Sequence, residues 1–144
     1  MYSISNNKKT SVEVDFGKIV DKYIININIS PTDNFFNVKA LIDTGANCSC
    51  ISKELVYKLK LVPIDIVTIS TPSSIAQVNV FVVNFKINDV VIENVRVCDS
   101  NIGNQGIDLL LGTDIISIGD LMISNYDSKT ILSFRLPSES DLNF

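Results

Sequence analysis

The sequence predicts an all-β domain with one or two short helices, and three observations carry that prediction. Runs rich in β-branched residues, several of them alternating in polarity, recur along the chain, as at Val12–Phe16 and Tyr23–Ser30. Turn-forming residues separate them at Ser30–Asn34, Thr71–Ser74 and Asn88–Asp89. Helical spacing of apolar residues is confined to two brief segments, near Ser52–Leu59 and Thr113–Ile118. At 144 residues the chain is long enough to bury a core and is read as one domain, 1–144, with polar ends at 1–10 and 137–144 expected to be flexible.

Taken in order, Val12–Phe16 alternates as a half-buried strand should. Tyr23–Ser30 and Phe35–Ile42 flank a turn and form a hairpin. Ser52 is a plausible N-cap for the helix that follows, which Pro63 is expected to stop. Ile64–Ser70 and the long run Ile75–Ile87 read as strands, with Asn84 breaking the pattern at an expected bulge or change of face. Val90–Cys98 is a further strand, and Asp99–Gly106 a loop. Ile107–Leu111 is almost wholly apolar and suits a strand buried on both faces. After Gly112 comes the second helix, read as closed by Gly119. Leu121–Ser124 and Thr130–Leu136 form a last hairpin around Asn125–Lys129.

Composition excludes several function classes. No apolar run approaches a membrane span, and Met1–Lys9 lacks an apolar signal segment, so a soluble, cytoplasmic protein with no membrane partner is expected. A net charge of −4 argues against nucleic acid as a partner. The three cysteines are an odd set. Cys48 and Cys50 are read as facing opposite ways and all three as buried, apolar-like thiols in a reducing compartment. With no histidine, the ligands for zinc are too few, so no metal and no cofactor is expected. The same absence removes Ser-His and Cys-His nucleophiles, leaving carboxylates for any hydrolysis.

The chain is organised around Ala40-Leu41-Ile42-Asp43-Thr44-Gly45-Ala46, where a strand runs into an aspartate and Gly45 permits a close backbone approach. Alone, Asp-Thr-Gly also reads as a strand-ending turn. In its wider setting, Ala40–Ile51 resembles the active-site signature of aspartic peptidases, with apolar residues before the aspartate and Thr, Gly and a small residue after it. Ile107–Ile116 is similar to the hydrophobic-hydrophobic-glycine segment that supports the aspartate loop in the retroviral-type branch. The resemblance covers roughly residues 20 to 136. It implies a single-lobe retropepsin-like acid protease fold, closed as a two-fold homodimer, and a stand-alone cellular or bacterial member is expected.

The resemblance further implies an aspartic endopeptidase in which Asp43, Thr44 and Gly45 are the catalytic residues. Only one Asp-Thr-Gly is present, so a two-fold axis between two copies has to bring the second carboxylate. A peptide or protein substrate would run past Ala46 and Asn47, under a flap whose tip is Thr71, Pro72, Ser73 and Ser74, with Asp108 and Leu110 at subsite walls. Proline and serines at the tip, in place of glycines, suggest a stiff flap, and Thr-Pro-Ser-Ser also reads as an ordinary hairpin loop. Asp108 could equally be a strand residue facing solvent. Two other readings stand beside this one: the same fold used for dimerisation or peptide binding with little hydrolysis, and a structural β-domain whose Asp-Thr-Gly is only a turn.

Overall fold

The computed structural model describes residues 3–4, 8–70 and 72–144. The strands are β1 (Ser3–Ile4), β2 (Thr10–Asp15), β3 (Ile24–Ser30), β4 (Phe36–Ile42), β5 (Cys50–Ser52), β6 (Asp65–Ser70), β7 (Ile75–Ile87), β8 (Val90–Ser100), β9 (Leu109–Leu111), β10 (Asp120–Ser124) and β11 (Ile131–Leu136). Two short helices, α1 (Lys53–Lys58) and α2 (Thr113–Ile116), complete a mostly-β architecture. Strands β8, β5, β9, β4, β3 and β7 neighbour one another in that order, and β7 pairs back onto β8, so the sheet closes into a barrel. Such closure removes exposed edges. Strand β1 pairs antiparallel with β8, and β6 extends the sheet from β7.

Period-two alternation sets what the barrel buries. In β3, Ile25, Ile27 and Ile29 point into the core while Asn26 is exposed. Val83, Phe85 and Ile87 do the same from β7, and Val90, Ile92, Val95 and Val97 from β8. The register between β7 and β8 shifts between Val83 and Phe85, at the Asn84 irregularity that the sequence signals. There the Asn84 side chain donates to Thr32 O at 2.7 Å and accepts from Asn94 N at 3.1 Å, so the break in the ladder is satisfied by side-chain bonds. A second sheet, β10-β11-β2, brings Leu132, Phe134 and Leu136 onto the same core.

Two helix ends differ from expectation. Ser52 caps α1 as its sequence suggests, accepting from Leu55 N at 3.1 Å, but the helix ends at Lys58, ahead of Pro63. Lys60 adopts a left-handed conformation (φ 56°) and turns the chain before the proline can act. Helix α2 ends at Ile116, and Gly119 does not close it with a left-handed residue, since its φ is not positive. A side chain at Gly119 would run into Arg135 O and the rings and methyls of Phe134 and Leu136, so space is what requires the glycine.

The polar end of the chain is held at β10. The Asp120 carboxylate accepts from Ser138 Oγ at 2.6 Å, Glu139 N at 3.0 Å and Arg135 Nε at 2.6 Å. Those bonds, Ser138 foremost, pull its pKa down from 3.8 to about 2. A depressed carboxylate contributes stability that is present above its unfolded value and is lost as pH falls through the folded one. The Glu139 amide resonance is therefore expected to titrate with a midpoint near 2, and Asp120→Asn to abolish that titration. A Glu139 amide shift that stays flat in acid, or a titration that survives the substitution, would show that this carboxylate does not hold the segment.

Candidate active site

Asp43 follows β4 directly, and the end of that strand is pinned from two sides. Ile42 N donates to Tyr23 O at 3.0 Å, and Asp43 N to Leu111 O at 2.9 Å, continuing the parallel pairing of β4 with β9. The chain then folds back: Ala46 N donates to Asp43 O at 3.3 Å, and Gly45 N donates to Asp43 Oδ1 at 2.9 Å. One carboxylate oxygen is thus fixed by the loop's own backbone. A Cβ on Gly45 would come within 3.2 Å of that oxygen, so the glycine keeps this approach open. Asp43 is half-buried, while Thr44, Gly45 and Asn47 are exposed around it.

A second layer, which the sequence reading missed, holds this loop from below. Thr113 N donates to Ala46 O at 2.8 Å. Ser49, fully buried, donates through Oγ to Asp114 Oδ1 at 2.8 Å and accepts from Gly112 N at 3.1 Å, while its own N donates to Asp114 Oδ2 at 2.9 Å. Asp114 Oδ1 also accepts from Ile115 N at 2.9 Å. The available signal was a serine and an aspartate at small-residue positions of two apolar segments, both needing partners if buried. Ser49→Ala strips the acceptor from a buried Gly112 N–H and is expected to cost about 1–3 kcal/mol in urea unfolding. An unchanged midpoint would show that water or another group takes over the bond.

The other residues singled out from sequence are spread more widely. Pro72, Ser73 and Ser74 are exposed in the connection between β6 and β7, and Thr71 lies outside the described residues. Leu110, half-buried in β9, is the cross-strand partner of Leu41 and of Cys50, next to the loop's supports. Asp108 has a different occupation: its carboxylate accepts from Lys39 N at 2.9 Å, and its backbone bonds Lys39 O and Ser52 N. It lines a cavity with Asn26, Asn37 and Glu54 that includes no residue of the Asp43 loop.

The cysteines depart from the sequence reading. None is buried: Cys48 is exposed, and Cys50 and Cys98 are intermediate. Nor do they diverge, because all three line one cavity. Residues two apart on an extended chain share a face, and Cys98 is the parallel partner of Cys50. No group of three or more His, Cys, Asp or Glu among the described residues is arranged to hold a metal ion. No helix among them is long and apolar enough to cross a membrane.

The sequence pattern of a family described as aspartyl protease matches residues 33–115. No curated protein matches the chain. Among solved structures, a retropepsin-like aspartic protease from Rickettsia conorii is similar over 90% of this chain and 96% of its own length, with 19% identity and a TM-score of 0.54. The simian foamy virus (mac) protease is similar over 66% of this chain and 92% of its own, at 22% identity and a TM-score of 0.49. A retroviral protease-like domain from Leishmania major is similar over 74% and 91%, at 15% identity and a TM-score of 0.44.

Proposed function

The chain belongs to the aspartyl protease family and has the retropepsin-like fold, and from that premise we propose that it is an aspartic endopeptidase working as a two-fold homodimer. The observation that carries the reading is the setting of Asp43. Its carboxylate is oriented by Gly45 N at a strand end fixed by Leu111 O, beside exposed Thr44 and Gly45. Among the described residues no cation is paired with it. A single carboxylate cannot both polarise a carbonyl and accept a proton from water, whereas two facing each other across an axis can.

Two such carboxylates share one proton, because like charges side by side resist double ionisation. The ionised one takes a proton from water as the water oxygen bonds to the scissile carbonyl carbon. The protonated one gives its proton to the carbonyl oxygen. The resulting diol collapses: the carbon–nitrogen bond breaks, the nitrogen takes the proton that the first carboxylate gained from water, one diol hydroxyl gives its proton to the second carboxylate, and the products are a carboxylic acid and an amine. Thr44 would steady the partner's loop by hydrogen bonding across the axis. Gly45, Ala46 and Asn47 would line an extended peptide, with the connection 71–74 as its lid and Leu110 at a wall. For Asp108 to face substrate it would have to release Lys39 N.

The test is oligomeric state read together with turnover. Sedimentation should show a dimer, and specific activity on a fluorogenic peptide library should fall as the chain is diluted through its dissociation range. The rate should be bell-shaped in pH, highest on the acid side of neutral, because only the singly protonated pair is active. Dilution should matter more near neutral pH than in mild acid, since two ionised carboxylates push the subunits apart. Hydrolysis by a strictly monomeric species, or a rate climbing steadily into alkali, would defeat the dimeric carboxylate mechanism.

A further inference from the structure

All three cysteines of the chain, drawn from two distant stretches of sequence, meet at one cavity of about 280 Å³. Its other walls include Ile69, Ala76, Gln77 and Val78, from the ends of β6 and β7 near their connection. The cavity therefore lies between the exit of the Asp43 loop and the β6–β7 hairpin. Asp99 accepts from both Asn79 N and Asn79 Nδ2 at 3.0 Å, tying β7 to β8 beside the thiols. Cys98 N donates to Ser49 O at 3.2 Å, which sets the β8 backbone against the residue that follows Cys48. Cys48 itself sits in a bend outside any strand, so its side chain is free of a ladder's constraint.

We propose that this cluster is a redox-sensitive modification site, in which a low-molecular-weight disulfide such as oxidised glutathione joins Cys48 to Cys98. The Cys48 sulfur, as thiolate, attacks one sulfur of oxidised glutathione. That S–S bond breaks, one glutathione leaves with the electron pair and takes a proton, and a mixed disulfide remains on Cys48. Cys98 then loses its proton, and its sulfur attacks the Cys48 sulfur and displaces the second glutathione. Two protein thiols are oxidised, and one glutathione disulfide is reduced to two thiols.

The roles follow from exposure and surroundings. Cys48 is the most accessible of the three and meets the reagent first. Cys50 is the least able to ionise: burial, then the neighbouring Cys48 and Cys98, push its thiol up to about 12, and it donates to Cys48 O at 4.0 Å. Burial also raises Cys98, with Cys48 and Asp99 adding to it, but the Arg96 guanidinium works the other way. The new bond would tie the segment leaving the Asp43 loop to β8 across the cavity floor, coupling the cell's thiol balance to that opening. This inference does not depend on the chain being a peptidase.

The test treats the full native chain with oxidised glutathione, alkylates the remaining thiols and maps the peptides by mass. Trypsin leaves Cys48 and Cys50 on one peptide, so substitutions separate their roles. Wild type and Cys50→Ser should lose two thiols and yield a cross-link to the Cys98 peptide, reversed by dithiothreitol. Cys48→Ser should cross-link at least about tenfold more slowly, and Cys98→Ser should retain glutathione on Cys48. The proposal is overturned if wild type keeps its glutathione adduct, if all three thiols stay free, or if Cys48→Ser cross-links as fast as wild type.

Discussion

On the proposed function, Asp43→Asn is expected to lower peptide hydrolysis by at least about 10³-fold while leaving the proposed homodimer intact or tighter. Asparagine has nearly the same shape as aspartate, and its carbonyl oxygen can still accept from Gly45 N, the bond that measures 2.9 Å in the native loop. The pinning of Asp43 N to Leu111 O is a backbone bond and survives the change. What is lost is the ability to take a proton from water, and in a homodimer it is lost on both sides of the axis at once. The negative charge at the axis disappears too, which removes repulsion between subunits. Turnover and sedimentation measured on the same preparation separate the outcomes. Continued hydrolysis by the variant would refute the carboxylate pair. A wild-type dimer that binds peptides without cutting them would favour the reading as a dimerisation or binding module.

What could be read in advance from the sequence was what lies in adjoining residues. The strand predicted over Tyr23–Ser30 is found at Ile24–Ser30, and the helix expected near Ser52–Leu59 at Lys53–Lys58, because alternation and an N-cap are local signals. The Asp43 loop could be located for the same reason, its determinants occupying one short run. Ile107–Leu111 narrowed to Leu109–Leu111, although Asp108 still bonds Lys39 O in β4 and accepts from Ser52 N in β5. Pairings across distance were not legible: the closure of β7 on β8, the parallel pairing of β4 with β9, and the bonds from Ser49 to Asp114. The cysteines were misread for a different reason. A spacing of two on an extended chain means one shared side, not opposite ones, and only the β5–β8 register reveals that Cys98 joins Cys50.

Gly112→Ala should cost about 3 kcal/mol of stability and, on the proposed function, more than about 10²-fold in peptide turnover. The glycine is not there for its backbone freedom: its φ of −90° and ψ of −170° are open to any residue. It is there for space. A Cβ at this position would sit 2.7 Å from Ala46 O and 3.0 Å from both the carbonyl carbon and the oxygen of Cys48. All three are backbone atoms of the segment that leaves Asp43, so no side chain can swing aside to make room. Either that segment moves, breaking the bond from Thr113 N to Ala46 O, or β9 moves and disturbs the bond from Asp43 N to Leu111 O. Both routes displace the carboxylate, and a misplacement of even an ångström at a reacting group is costly. The check is a urea midpoint together with turnover on a peptide that the wild type cleaves. A variant as stable and as active as wild type would mean the close approach of these two segments does not hold the loop. A variant that loses stability but keeps its turnover at a temperature where it stays folded would separate the packing of Gly112 from the positioning of Asp43.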